Sequence, residues 1–321
     1  MLAAWHRFKY PHLSVGAIAS GAPVDFYIGE GVQKRFLDAY THTFEKYGGE
    51  KGCGEALTKG LNRLPTASHE ELAAAGVRPC GGFDSESVDQ YGFYAKGALS
   101  SLAMIDYPYP CGFIAPLPAN PVKNACRLIN SEGSLKNLHD AVLTYVNATG
   151  NLDCVDLKAE LVGKKDSFRP NNSPVVGGSD LGVTAWNYQA CTELLLEPIT
   201  SDGYGFYPED RSQVRQVESN CAARFGVRPR PFWMPLAFGI GSDYSTHMSN
   251  IIFMENEKDP WHVGTVSIPP VGGFNSTVVR MLTEGGAHHQ DLRFSSEYDS
   301  DGVKKARLFE RETVQAWLAH L

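Results

Sequence analysis

Apolar positions recur with two different periods along the chain. Leu2, Trp5 and Phe8, with Ala3 and Ala4 between them, fall at helical spacing over Met1–Tyr10, and Pro11 stops the run. Leu13–Ser20, LSVGAIAS, is a short run of small and β-branched residues that predicts a buried strand, ended by GAPVDFY. From about Val24 helical spacing dominates. It predicts helices over Gly31–Tyr47, Glu55–Leu64, Ser68–Ala75, Glu86–Met104, Val122–Asn130 and Ser134–Val146. Ser68 in SHEEL and Ser134 in SLKNL are suited to cap two of them. Lys164–Leu181 is a polar, Gly/Pro-rich linker. Beyond it come a helix over Glu209–Phe225 that GVRPRP ends, two strand-like runs, NIIFMEN and STVVRMLT, and an amphipathic helix over Gly302–Leu321.

The two late apolar runs carry the candidate chemistry. The first ends in the acid turn KDPW and the second in the paired histidine of AHHQDL. An Asp after one strand and a His after a later one are the last two triad members of an α/β-hydrolase, whose chain order is Ser, acid, His. Asp259 would orient the imidazole of His288, and His288 would act as general base and acid. Each also has a plain structural reading, since Asp-Pro makes turns and a His beside a Gly pair packs in many cores. The expected class is α/β: a hydrolase core with an inserted helical cap. Residues 1–23 and 176–321 are assigned to the core, and 24–175 to the cap.

Composition narrows the partners. With 36 acidic and 29 basic residues the net charge is −7, and no Lys/Arg run occurs, which argues against nucleic acid. No apolar stretch approaches the length of a membrane span. The cysteines form no CxxC pair, so no zinc site is expected, and no cofactor is called for. Sequons occur at Asn147, Asn171 and Asn275, with Pro174 just after the second. Scattered Cys with sequons fit an oxidising compartment. Yet MLAAWHRFKYPHL lacks the features of a signal peptide, so material upstream of Met1 is expected. His42, His69 and His139 lie in the expected cap and read as surface residues, although Asp38 and Glu45 flank His42 on one helix face. His262 reads as a half-exposed loop residue. Glu193 and Asp202 are carboxylates that could meet a substrate amine, and turn-making or buried hydrogen bonding explains them equally well.

Six stretches, in order, resemble one family: WHRFKYPHLSVGAIASGAP, IDYPYPCGFIAPLPANPV, WNYQACTE, FGVRPRPFW, NIIFMENEKDPW and EGGAHHQDLR. The family is that of the serine exopeptidases that include lysosomal Pro-X carboxypeptidase, dipeptidyl peptidase II and thymus-specific serine protease. The resemblance spans nearly the whole chain. It implies an α/β-hydrolase core with a helical cap, Asp259 as the acid, His288 as the base and His289 as a structural neighbour. It places Met1, Leu196 and Trp261 at a small apolar slot for proline, where a Trp face suits the ring; core packing is the competing account of the three. It implies the pairs Cys53–Cys126, Cys80–Cys154 and Cys191–Cys221, leaving Cys111 over.

The chain departs from the family's pattern at the nucleophile. The family holds its Ser in a GGSYGG-type elbow, and no G-x-S-x-G occurs here. By the family's pattern the Ser falls just upstream of Met1, so the hydrolase core is expected to lack its N-terminal strands and elbow, and the chain alone to be inactive. The expected activity is acyl-enzyme hydrolysis of short peptides next to proline, of Pro-X carboxypeptidase type, in a secreted or lysosomal (vacuolar) protein, with a homodimer as the assembly considered. Dipeptidyl peptidase activity is the alternative within the family. A non-catalytic secreted binding glycoprotein and a fragment that does not fold alone are the alternatives outside it.

Overall fold

A computed structural model of the chain describes residues 1–25, 33–112, 116–129, 132–157, 181–193, 205–206, 214–230, 232–238, 248–266 and 277–319. They divide into two compact units. Unit 1 comprises Met1–Leu37, Tyr188–Thr200 and Arg211–Leu321, and unit 2 comprises Asp38–Asn187 and Ser201–Asp210.

Unit 1 is built on a parallel sheet, in the order β1 (Ala17–Ser20), β2 (Ile251–Asn256), β3 (Val278–Thr283). Ala17 lies opposite Ile251, and Ile251 opposite Val278. Every residue of the central strand β2 is buried, as expected of a parallel strand covered on both faces. Its side chains alternate between two cores. Ile251 and Phe253 join Ala4, Trp5, Ala19, Val266 and Val278, so helix α1 (Leu2–Lys9) covers one face. Ile252 and Met254 join Val279 and Ala306, with Phe309 and Trp317 packed against them, so the C-terminal helix covers the other. Arg7 ties α1 to the rear of the sheet, its Nε donating to Ser249 O at 2.8 Å.

The predicted strand over Leu13–Ser20 shortens to Ala17–Ser20. Leu13 is exposed, and Arg7 Nη1 donates to Pro11 O at 2.6 Å and also to Ser14 O, which holds this approach in a turn. WNYQACTE, which the apolar pattern left without an element, lies in a helix up to Thr192; the two faces of that helix scarcely differ in polarity, so the spacing does not show it.

Unit 2 is helical: α2 (Gln33–Tyr47), α3 (Cys53–Arg63), α4 (His69–Ala74), α5 (Ser87–Met104), α6 (Pro121–Cys126) and α7 (Leu135–Val146). Further on come α8 (Leu181–Thr192), α9 (Val214–Phe225), α10 (Trp233–Phe238) and α11 (Asp301–Leu318). The unit boundaries fall inside α2 and α8. Ser68 caps α4 in a capping box with Glu71, and Ser134 accepts from Asn137 N–H at 3.2 Å to cap α7. Cys53 is bridged to Cys126 and Cys80 to Cys154 within unit 2, and Cys191 to Cys221 within unit 1. Cys111 is in none of these bridges.

His139 corrects the surface reading of the cap histidines. It is buried, and its Nδ1 lies 2.9 Å from Tyr91 Oη. Burial holds its pKa below the ordinary value, so it packs as a neutral ring. His42 is exposed, and His69 stacks on Phe83 with ring centroids 5.1 Å apart.

Candidate active site

The carboxyl ends of the three parallel strands converge, which is where open α/β sheets place their chemistry. β1 ends in Ser20–Gly21, β2 runs into the turn carrying Asp259, and β3 runs into the loop carrying His288 and His289. Backbone bonds lace the last two together. Glu257 N donates to Thr283 O at 3.1 Å and Lys258 N to Gly286 O at 2.9 Å, while Gly285 N donates to Glu257 Oε2 at 3.0 Å. These bonds set the distance between the acid and the imidazole.

Asp259 begins a 3-10 turn, Pro260–Gly264. Its Oδ1 accepts from Trp261 N–H at 3.2 Å, and its own N–H donates to Asn256 O at 2.9 Å. Pro at the first position of that turn costs no hydrogen bond, because its N–H would have none to make. The side chain is completely buried and Oδ2 accepts from His288 Nδ1 at 2.8 Å. A carboxylate only accepts, so Nδ1 carries the hydrogen and Nε2 keeps the lone pair that a general base needs. The dyad geometry is therefore that of an oriented, proton-accepting imidazole.

His289 lies against His288, ring centroids 3.6 Å apart, at a left-handed φ of 51°. Its Nδ1 is 3.3 Å from Ser20 Oγ. Ser20 Oγ donates to Asp291 Oδ1 at 2.7 Å, so toward His289 it accepts. Burial, then the neighbouring His288, pull the His289 pKa down to about 4 against the opposing charges of Asp259 and Asp291. The second histidine is thus a neutral ring packed against the first. Asp259, His288 and His289 each offer a potential ligand atom within 4.8 Å of the others. The Asp259 oxygen that faces His288 is already engaged in the hydrogen bond, so the trio reads as an acid–base pair with a neighbour.

Gly21 makes room for this arrangement. It has φ +50°, and a Cβ there would strike Asp259 Oδ2 and press on His289 Cε1. Gly286 likewise admits Asn256 Oδ1. Sequence reasoning passed over Gly21, Asn256 and Asp291; the GAP, NIIFMEN and HHQD strings hold them, and no spacing rule singles them out.

The remaining candidates are placed as follows. Trp261, two residues after the acid, is half-buried and meets Phe36 edge-on at 4.7 Å. Met1 is half-buried beside Trp5 and the sheet core. Leu196, Asp202, Asn171 and Asn275 lie outside the described residues. Glu193 pairs with Arg230. His262 is half-buried with Nδ1 2.6 Å from Asp259 O. Asn147 is half-buried at the end of α7, its Oδ1 accepting from Leu152 N–H at 2.9 Å. Among the described residues no helix is long and apolar enough to cross a membrane.

Comparison with known proteins shows the family of the chain. The family model described as serine carboxypeptidase S28 matches residues 1–310. Lysosomal Pro-X carboxypeptidase of Homo sapiens is 31% identical over 99% of this chain and 61% of its own length. Prolyl carboxy peptidase like protein 5 of Caenorhabditis elegans is 30% identical, over 99% and 63%. Thymus-specific serine protease of Homo sapiens is 26% identical, over 99% and 61%. The chain thus spans about three fifths of the length of the curated relatives it matches. The sheet of three strands among the described residues, with helices on both faces, is part of an α/β-hydrolase core, the fold of that family.

Proposed function

The chain belongs to the serine carboxypeptidase S28 family, and from that premise we propose that it is the acid–base half of a serine exopeptidase acting on short peptides next to proline. The observation that carries the reading is the buried Asp259 carboxylate 2.8 Å from His288 Nδ1, at the carboxyl ends of adjacent parallel strands. In this reading a serine N-terminal to Met1 attacks the scissile carbonyl. His288 takes its proton and returns it to the leaving amine, and water hydrolyses the acyl-enzyme. Asp259 holds the imidazole tautomer and stabilises the imidazolium. Ser20 is not the nucleophile, because its hydroxyl donates to Asp291 and meets His289 rather than His288.

Trp261, Met1 and Leu196 are proposed to line the slot for a proline ring. Half-exposure of Trp261 two residues after the acid suits a ring-stacking role. The names of the relatives favour removal of a C-terminal residue after proline, and a lysosomal or secreted setting. The disulfides and sequons are compatible with such a setting.

The test is made on protein purified from its native source, sequenced from its N-terminus and assayed on peptides with proline before the last residue. Asp259→Asn and His288→Ala are expected to lower kcat by at least about a thousandfold while the melting curve stays cooperative. Full turnover in His288→Ala overturns the assignment. A native chain that begins at Met1 and does not hydrolyse peptides turns the reading toward a binding protein.

A further inference from the structure

We propose that protonated Glu310 is a latch on the His288 loop: its carboxyl shares a proton with Asp291, and loss of that proton slackens the loop. The proposal rests on the reading of His288 as the general base, and makes Glu310 and Asp291 positioning residues rather than catalytic ones.

The geometry is that of two buried acids with too few donors. Asp291 is 2% exposed and Glu310 7%. Asp291 Oδ1 accepts from Ser20 Oγ at 2.7 Å and from Asn256 Nδ2, which fastens the His loop to the ends of β1 and β2. Its other oxygen, Oδ2, and Glu310 Oε1 are buried without a donor from the rest of the protein. The two carboxyl groups lie within hydrogen-bonding reach of each other. Two acceptor-only groups facing each other in a low-dielectric site repel unless a proton lies between them. With the proton in place, one continuous chain runs from α11 through Glu310 and Asp291 to both strand ends, three residues beyond His288.

The surrounding charges do not remove the need for that proton. Arg307, on the same helix, pairs with Asp299 and donates to Gln290 O at 2.7 Å, Asp291 O at 3.0 Å and Phe294 O at 3.2 Å. Asp299 is itself engaged by Arg307, Ser296 N–H and Gln290 Nε2. His289, on the loop, is neutral, and Ser20 and Asn256 carry no charge. Burial, then the Asp291 charge and hydrogen bond, push the Glu310 pKa up to about 8 against the attraction of Arg307.

The sign follows from linkage. The folded chain keeps on Glu310 a proton that the unfolded chain releases above 4.5, so this contribution is complete at low pH and is lost as pH rises through about 8. His289 acts the other way. Its folded value of about 4 lies below 6.5, so its contribution is lost as pH falls. His139, also lowered, has the same sign as His289. The difference between Glu310→Gln and the parent chain removes both and isolates the latch.

Thermal melts of the chain and of Glu310→Gln are compared from pH 5 to pH 8.5. The amide mimics the protonated acid, so the two melt together at the acid end, and the parent falls behind by about 5 °C at the alkaline end. A difference constant across the range overturns the latch. If the variant does not fold, isotope-edited infrared spectroscopy on the parent decides. A protonated carboxyl stretch persisting at pH 6.5 supports the proposal, and carboxylate bands alone overturn it. In a peptidase-active form, the alkaline limb of kcat/KM moves up by about one pH unit in Glu310→Gln. If no form hydrolyses peptides, the functional reading falls and the melts and infrared bands still judge the latch.

Discussion

Two residues at the dyad adopt left-handed backbone, and they are there for different reasons. Gly21, at φ +50°, turns the chain out of β1 directly beneath Asp259 and His289. His289, at φ 51°, is a side-chain residue held in a conformation that favours glycine. The strain is tolerated because its ring is fixed on both sides, by His288 and by Ser20. Gly21→Ala is therefore expected to cost about 1–2 kcal/mol from backbone strain alone. It should also cost activity out of proportion to stability, because the new methyl displaces Asp259 Oδ2 from His288. Denaturant melts read the first quantity, and kcat at saturating peptide in an active form reads the second. Equal kcat in the variant would mean that Asp259 does not need its present position. Nothing in the string SGAP announces this. A glycine after a strand is ordinary, and its need appears only when another segment is folded against it.

The element that most constrains the site is α11, which contributes no chemistry. Ser300 caps it by accepting from Val303 N–H at 3.2 Å, and its apolar face covers the sheet through Ala306, Phe309 and Trp317. About two turns in, Arg307 reaches back to three carbonyls of the His loop and to the Asp299 carboxylate. Arg307→Ala would leave Asp299 buried without its cation and would remove the guanidinium hydrogen bonds to three loop carbonyls. The expected loss is about 3 kcal/mol by urea unfolding at pH 7. Burial works against the charged form of Asp299, but hydrogen bonds from Ser296 N–H, Arg307 and Gln290 outweigh it and keep its pKa below 3.8. A depressed carboxyl pKa gives stability that is present above the unfolded value and lost as pH falls through the folded one. The gap between parent and Arg307→Ala should thus narrow only in strong acid, below about pH 3.8. A gap that closes between pH 5 and 7 would mean that another group carries the pairing. The amphipathic pattern of Gly302–Leu321 foretold the helix but not this task, since an arginine on a helix reads first as a solvated charge.

At the scale of the whole molecule, the two units are held by different means. Unit 1 has two packed faces on a buried strand. Unit 2 is a set of helices cross-linked by Cys53–Cys126 and Cys80–Cys154, which close stretches of 73 and 74 residues. Each such link is worth about 4 kcal/mol through the entropy of the unfolded chain. Replacing Cys80 and Cys154 by Ser should lower stability by about that amount, and limited proteolysis should then cut first within residues 38–157 of unit 2 rather than at β2 or β3. Cleavage that still begins in the sheet would show that the disulfide does not limit the helical unit. Treatment of the parent chain with a mild reductant should reproduce the same order of cutting.

Local elements and the order of the chemistry along the chain are legible in the residues alone. Apolar period set the helices of unit 2 and the runs that become β2 and β3, because burial on one or two faces dictates spacing regardless of partners. It also determined that Asp259 and His288 each follow a strand, and six motifs carried the family. Only the tertiary structure decided what those residues meet. The 2.8 Å hydrogen bond exists because two strand-end turns exchange backbone bonds, the burial of His139 because Tyr91 from another helix closes over it, and the acid pair because α11 returns across the sheet. Spacing records the environment of a residue along its own element. Contacts between separate segments depend on how the fold brings their ends together, and no local pattern encodes that.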